Sequence, residues 1–141
     1  MNWVVDASVV VKWLLDSPAT EPDTDAAFGF LNRIVGRETV CQPPHWLIEV
    51  IGVTSRKMPG ASGKYIGALA AFDWHIADDF DVLKRAADLA EALQHHYFDT
   101  LYHAVALETD SVLVTADRRY LLKARHLGYI VHLGDWHIVS G

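Results

Sequence analysis

Four acids lie where carboxylates could do chemistry. Asp6 ends the apolar run Trp3-Val4-Val5, and Asp117 follows Val112-Leu113-Val114-Thr115-Ala116. An acid just past a buried strand can cap the next helix or join a site assembled from distant segments, and for either residue alone the cap is a full rival. Glu49 is different. It sits in "HWLIEVIGV", and the residues three and four positions away are His45, Trp46, Gly52 and Val53. No Lys or Arg is there to form a helix ion pair. An ionised carboxylate in apolar surroundings is costly unless it is paired or bound to a metal; the rival is that Glu49 lies on the helix's exposed edge. Asp99, in "HYFDTLYHAVA", falls near a helix start, where the helix dipole also favours an acid. Brought together, four carboxylates cannot all stay ionised without cations, because like charges raise one another's pKa. Oxygen-only ligands select a hard ion, Mg²⁺ or Mn²⁺. Such ions suit phosphodiester hydrolysis.

The elements that must position these acids can be read coarsely. "NWVVDAS" gives a strand over Trp3–Val5, then a helix over Val9–Leu15 stopped at Ser17-Pro18. "DTDAAFGFLNRIVG" has helical spacing with Gly36 as its stop, and "TVCQ" is a second strand. Pro43-Pro44 opens a helix over His45–Lys57, ended by Pro59-Gly60. "SGKYIGALAAFDWHI" reads as one more helix. Asp81 is the expected N-cap of an amphipathic helix carrying Val82, Ala86, Leu89 and Leu93. "FDTLYHAVALETD" is a helix with Leu101, Ala104 and Val105 toward the core, and Asp99, Tyr102 and His103 toward one side. "SVLVT" is a strand, "DRRYLLKARHLG" a helix stopped by Gly128, and "YIVHL" a last strand. Strands separated by helices mean a parallel α/β sheet covered on both faces. Its functional crevice lies beyond the carboxyl ends of the strands.

Composition narrows the choices. The 141 residues suit a single domain spanning 1–141, and 51% are hydrophobic. No repeat or low-complexity tract interrupts them. Charges such as Lys12 and Asp16 break the apolar runs, so none spans a bilayer, and Asp6 breaks what would be a signal-peptide core. The expectation is a cytoplasmic protein. Cys41 is the only cysteine, which excludes an internal disulfide and a cysteine zinc site. The net charge of −6 argues against nonspecific nucleic-acid binding, but Arg56-Lys57, Lys84-Arg85 and Arg118, Arg119, Lys123 and Arg125 cluster the positive charge. Trp13, Phe28, Phe30 and Trp46 exceed what one small core needs and predict a homodimer.

"VVDASVVVKWLL", "EV" at Glu49-Val50, "YFDTLYHAVAL" and "LVTADRRY" occur in an order, and over nearly the whole chain, that resembles the PIN-domain ribonucleases, most closely the VapC-type toxins of toxin–antitoxin pairs. The resemblance implies a PIN-like three-layer α/β/α fold with a central parallel sheet. It implies that Asp6, Glu49, Asp99 and Asp117 bind one or two Mg²⁺ or Mn²⁺ ions and are catalytic. Ser8 and Thr115 would support them by hydrogen bonding, and Arg118 and Arg119 would bind RNA at the rim. It further implies RNA as substrate, a cognate antitoxin protein and a homodimer. Two positions depart from the family's habit: Gly52 stands where Asn is common, and Asp16 is the nearest acid where Glu usually follows the "KW" helix.

Rival readings carry their own signatures. A non-catalytic RNA-binding or interaction module on the same fold would not need four clustered acids. A phosphoaspartyl phosphatase would show Asp-x-Asp, and here Ser8 stands two residues after Asp6. His95-His96 and His103 raise a transition-metal site, but no H-E-x-x-H motif and no His–Cys set accompanies them, so surface or hydrogen-bonded histidines are the simpler reading.

Overall fold

The computed structural model describes residues 1–15, 22–60 and 62–139. The expected helix stop at Ser17-Pro18, and Asp16 with it, lie outside the described residues. Five strands form one sheet in the order β3-β2-β1-β4-β5. They are β1 (Asn2–Val5), β2 (Thr39–Gln42), β3 (His75–Ile76), β4 (Val112–Thr115) and β5 (Ile130–His132), and every pairing is parallel. Between them run α1 (Ala7–Leu14), α2 (Thr24–Ile34), α3 (Trp46–Lys57), α4 (Ser62–Ala70), α5 (Phe80–Leu93), α6 (Tyr97–Thr109) and α7 (Arg118–Ala124). On one side α1 packs on α2 and α3; on the other α6 lies against β1, β2 and β4 with α5 outside it. This is the three-layer α/β/α arrangement with a central parallel sheet.

The chain runs outward from β1 to β2 and β3, then returns to build β4 and β5 on the other side of β1. The direction of winding therefore reverses between β1 and β4, and in open parallel sheets that switch point opens a crevice at the carboxyl ends. Asp6 directly follows β1, and Asp117 lies two residues past β4.

Some elements differ from expectation. The helix expected across residues 62–76 ends at Ala70, and Asp73 takes a positive φ of 51°. His75 and Ile76 then pair with Cys41 and Gln42 as β3. Packing explains the break: Phe72 stacks on Trp74 with centroids 4.8 Å apart, and Trp74 packs on Trp46 and Trp13. Asp79, not Asp81, occupies the N-cap of α5, and Asp81 falls in its first turn. Helix α6 is buried all the way from Thr100 to Ala106, because sheet and α5 cover opposite sides of it. Tyr102 and His103 accordingly diverge: Tyr102 reaches Glu49, while His103 bonds Tyr120 and the Gly128 carbonyl. The expected last strand "YIVHL" is shorter, Ile130–His132, and Leu133 instead begins a six-residue 3₁₀ segment, Leu133–Ile138.

The aromatic surplus is largely absorbed inside the chain. Phe30 and Trp46 are buried, Trp13 donates to the Ala27 carbonyl, and of the four only Phe28 is exposed. Those side chains therefore lose their force as an argument for a dimer.

One buried polar residue shapes the crevice. The paired register of β1 and β2 covers Asn2 with Thr39 and Trp3 with Val40. At Val5 the side chain of Gln42 takes over: Oε1 accepts from Val5 N–H and Nε2 donates to Val5 C=O, both at 2.8 Å. A side-chain amide thus stands in for a strand, and β1 parts from β2 just before Asp6. Gln42→Leu would leave two buried backbone groups unsatisfied, which costs about 2–4 kcal/mol. Urea unfolding should show a loss of that size; a change below about 1 kcal/mol would mean that water replaces the amide.

Candidate metal centre

Asp6 is the N-cap of α1. Its Oδ2 accepts from Ser8 N–H at 3.1 Å and from the Ser8 hydroxyl, with a longer contact of 3.4 Å from the Thr115 hydroxyl. Both hydroxyl oxygens are used again: Ser8 Oγ accepts from Ala116 N–H and Thr115 Oγ1 from Asp117 N–H, each at 3.0 Å. Asp6 therefore hangs between the loops that follow β1 and β4. Burial pushes its carboxyl up to about 6 against the lowering effect of the Ser8 donors, and the charges of Asp99 and Asp117 raise it further.

Glu49 lies in the first turn of α3. The Tyr102 hydroxyl donates to its Oε1 at 3.1 Å. Burial first, and the charge of Asp6 second, push Glu49 up to about 7; Asp99 adds to the rise and the Tyr102 hydroxyl opposes it. Burial also pushes the tyrosine itself well up, so it stays a donor. His45 Nε2 is 3.6 Å from Glu49 Oε2, but this nitrogen already donates to the Phe98 carbonyl at 2.9 Å. Burial lowers the His45 pKa, so it supplies little compensating charge.

Asp99 stands in the first turn of α6, with His95 Nε2 2.9 Å from its Oδ2. Asp117 caps α7 by accepting from Tyr120 N–H at 3.1 Å. The cap reading and the site reading are compatible: Asp6 and Asp117 each cap a helix and still face the crevice. Asp6, Glu49, Asp99 and Asp117, with Ser8 and Lys12, line one open cleft of about 370 Å³. Asp99 and Asp117 also border a neighbouring cleft of about 460 Å³, whose other walls include His95, His96, Arg119 and Lys123. Arg119 thus faces the acids. Arg118 lines neither cleft and acts instead on His132, whose pKa burial and this arginine lower together.

The donor set suits a hydrated divalent ion. Four elements deliver carboxylate oxygens to one cleft, and two of those carboxyls are held protonated into the range of about 6 to 7 by burial and like charge. Among the described residues, His95, Asp99 and Asp117 offer ligand atoms that all lie within 4.8 Å of one another. Asp6 and Glu49 fall outside that group but line the same cleft as Asp99 and Asp117, and waters or a second ion would bridge carboxylates so placed. His95 is a hydrogen-bonded histidine, as the simpler reading has it, and its spacing of four from Asp99 is the signal for that contact. His45 stands at the same spacing from Glu49, whereas the roles of Tyr102 and Gln42 depend on long-range packing.

A family model described as "PIN domain" matches residues 3–126. A search of curated proteins returns no match. Among solved structures, a toxin–antitoxin complex from Klebsiella pneumoniae aligns with a TM-score of 0.68 at 13% identity, covering 92% of this chain and 96% of that one. VapBC-1 from nontypeable Haemophilus influenzae gives 0.68 at 12% identity, covering 95% and 99%. VapBC2 from Rickettsia felis, bound to a DNA fragment from its promoter, gives 0.65 at 14% identity, covering 94% and 97%. At such identities the likeness shows a shared fold, and the family match over most of the chain goes further: this protein belongs to the PIN-domain family.

Proposed function

We propose that the protein is a Mg²⁺- or Mn²⁺-dependent endoribonuclease and the toxin of a toxin–antitoxin pair. The observation that carries this reading is the convergence of Asp6, Glu49, Asp99 and Asp117, from four elements, on one cleft of a PIN fold. PIN domains form a nuclease family. Four acids outnumber Lys12 and Lys57 in this cleft, so a phosphodiester entering it would be repelled unless further cations were present. A bound hard ion supplies an activated water and neutralises charge developing on the phosphate and the leaving oxygen.

The chain's own residues then divide the work. Asp6, Glu49, Asp99 and Asp117 hold the ion. Ser8 and Thr115 orient Asp6, and Tyr102 orients Glu49. Arg119, across Asp117 from the acid cleft, receives a neighbouring phosphate, for which its planar fork is suited. An antitoxin partner is proposed by analogy with the structural neighbours, of which the one from Klebsiella pneumoniae is a toxin–antitoxin complex. A homodimer is proposed on exposed apolar side chains: Ile48 is 73% and Phe98 62% exposed, at the starts of α3 and α6 beside the cleft. Light scattering at micromolar concentration should give twice the chain mass; a monomer there would remove the dimer from this reading.

Incubation with total RNA should give cleavage with Mg²⁺ or Mn²⁺ and none with EDTA. Asp6→Asn should abolish that cleavage while metal-free stability holds or rises. The sign follows from the pKa values. Asp6 and Glu49 bind protons more tightly folded than unfolded, so the metal-free protein loses stability as pH rises from about 4 to about 7, then levels off. Asp6→Asn should flatten that slope. A large loss of stability in EDTA would instead make Asp6 a purely structural cap. Metal affinity should rise over the same interval, as protons leave the ligands.

The arginines should prove unequal. In an Asp6→Asn background, which spares the RNA, Arg119→Ala should weaken RNA binding and lessen its salt dependence, whereas Arg118→Ala should change little. Filter binding at two salt concentrations reads both quantities. Equal effects, or none from Arg119→Ala, would place the substrate path elsewhere.

A further inference from the structure

His95 lines the second cleft beside Asp99 and Asp117, the two acids that border both. Its side chain is 7% exposed, and its ring packs edge-on against Tyr120 with centroids 5.0 Å apart. Tyr120 is itself fixed, through its backbone N–H to Asp117 and its hydroxyl to His103. The imidazole is therefore well held, with a partner at each ring nitrogen. Nε2 is 2.9 Å from Asp99 Oδ2, and Nδ1 is 3.2 Å from Lys123 Nζ. Lys123 is tied down in turn by the Gln94 carbonyl at 3.3 Å.

Distance alone would let His95 serve as a ligand, since its nitrogen lies within 4.8 Å of the oxygens of Asp99 and Asp117. The hydrogen bonds decide otherwise. A lysine ammonium has donors and no acceptor, so the Nδ1 that faces it must accept and carries no proton. The ring proton then sits on Nε2 and points at Asp99. A nitrogen that bears a proton has no lone pair for a cation. Turning the lone pair of Nε2 toward the cleft would put an N–H against the Lys123 ammonium.

We propose that Lys123 locks His95 in the tautomer that orients Asp99, so that His95 is a positioning residue and the centre keeps an all-oxygen ligand set. Oxygen ligands favour Mg²⁺, whereas an available imidazole favours Zn²⁺ or Ni²⁺. Lys123 thus acts on metal choice without touching the metal. The inference rests on the metal-centre reading above.

The test is calorimetric titration of the metal-free protein with Mg²⁺, Mn²⁺ and Zn²⁺, with circular dichroism as the check on folding. His95→Ala should weaken Mg²⁺ binding about tenfold or more, while His95→Gln, whose amide N–H can replace Nε2–H on Asp99, should stay within about threefold of the parent. Lys123→Met should raise affinity for Zn²⁺ relative to Mg²⁺ about tenfold, and adding His95→Gln should cancel the rise. Electron spin-echo spectroscopy of the Mn²⁺-loaded parent should show no imidazole nitrogen on the metal, and Lys123→Met should bring that signal in. An imidazole signal in the parent overturns the proposal. So does a Lys123→Met variant with parental metal preference. If His95→Ala loses its fold, the Lys123→Met comparisons decide alone. A parent that binds none of the three ions refutes the metal centre itself, whereas a parent that binds Mg²⁺ beside unaltered variants refutes only the role of His95 and Lys123.

Discussion

A carboxylate taken out of water needs a donor or a cation, and at the carboxyl end of this sheet four of them compete for both. Asp6 has the Ser8 N–H and hydroxyl, Glu49 has the Tyr102 hydroxyl, Asp99 has His95, and Asp117 has Tyr120 N–H. These donors hold each side chain in place. Lys12 and Lys57 line the same cleft, yet the acids outnumber them, and Asp6 and Glu49 remain pushed up to about 6 and about 7. Structural caps are ordinarily solvated or paired; acids left in this condition are arranged for something that arrives from outside.

The winding of the sheet makes the arrangement possible. Because the order of winding reverses between the parallel neighbours β1 and β4, the two strands deliver their following loops to the same spot. Ser8 and Thr115 tie those loops together through Asp6, so the acid is both the cargo of the junction and part of its fastening. Gln42 does the complementary job on the far side. By bonding Val5 with its side-chain amide it ends the β1–β2 ladder early, and Glu49 then enters from α3.

Much of this was legible in the sequence. Parallel strands show as short, continuous apolar runs, and an acid directly after such a run is visible in Asp6 and Asp117. Glu49 was visible for the opposite reason, as the one charge in an apolar helical stretch. What stayed hidden depends on distant partners. The two residues of β3 give no periodicity of their own, and stacking of Phe72 on Trp74 decides where the preceding helix stops. Helix α6 has no polar face to read, because both of its sides are covered. The surplus of aromatics pointed to a partner chain, yet Trp13, Phe30 and Trp46 found their contacts within this one.

The second cleft gives the acids their direction. Asp99 and Asp117 form the ridge between a cleft in which four acids outnumber Lys12 and Lys57 and one that carries Arg119, Lys123, His95 and His96. An anionic polymer crossing that ridge meets repulsion on one side, which a bound cation would reverse, and attraction on the other. Helix α7 separates the two arginines: adjacent residues on a helix point about 100° apart, and Arg119 lines the second cleft while Arg118 lines neither. Asp117, as the N-cap, sets the starting rotation of that helix. The same carboxylate therefore borders both clefts and caps the helix that carries the arginine, so substituting it would disturb charge and helix geometry together.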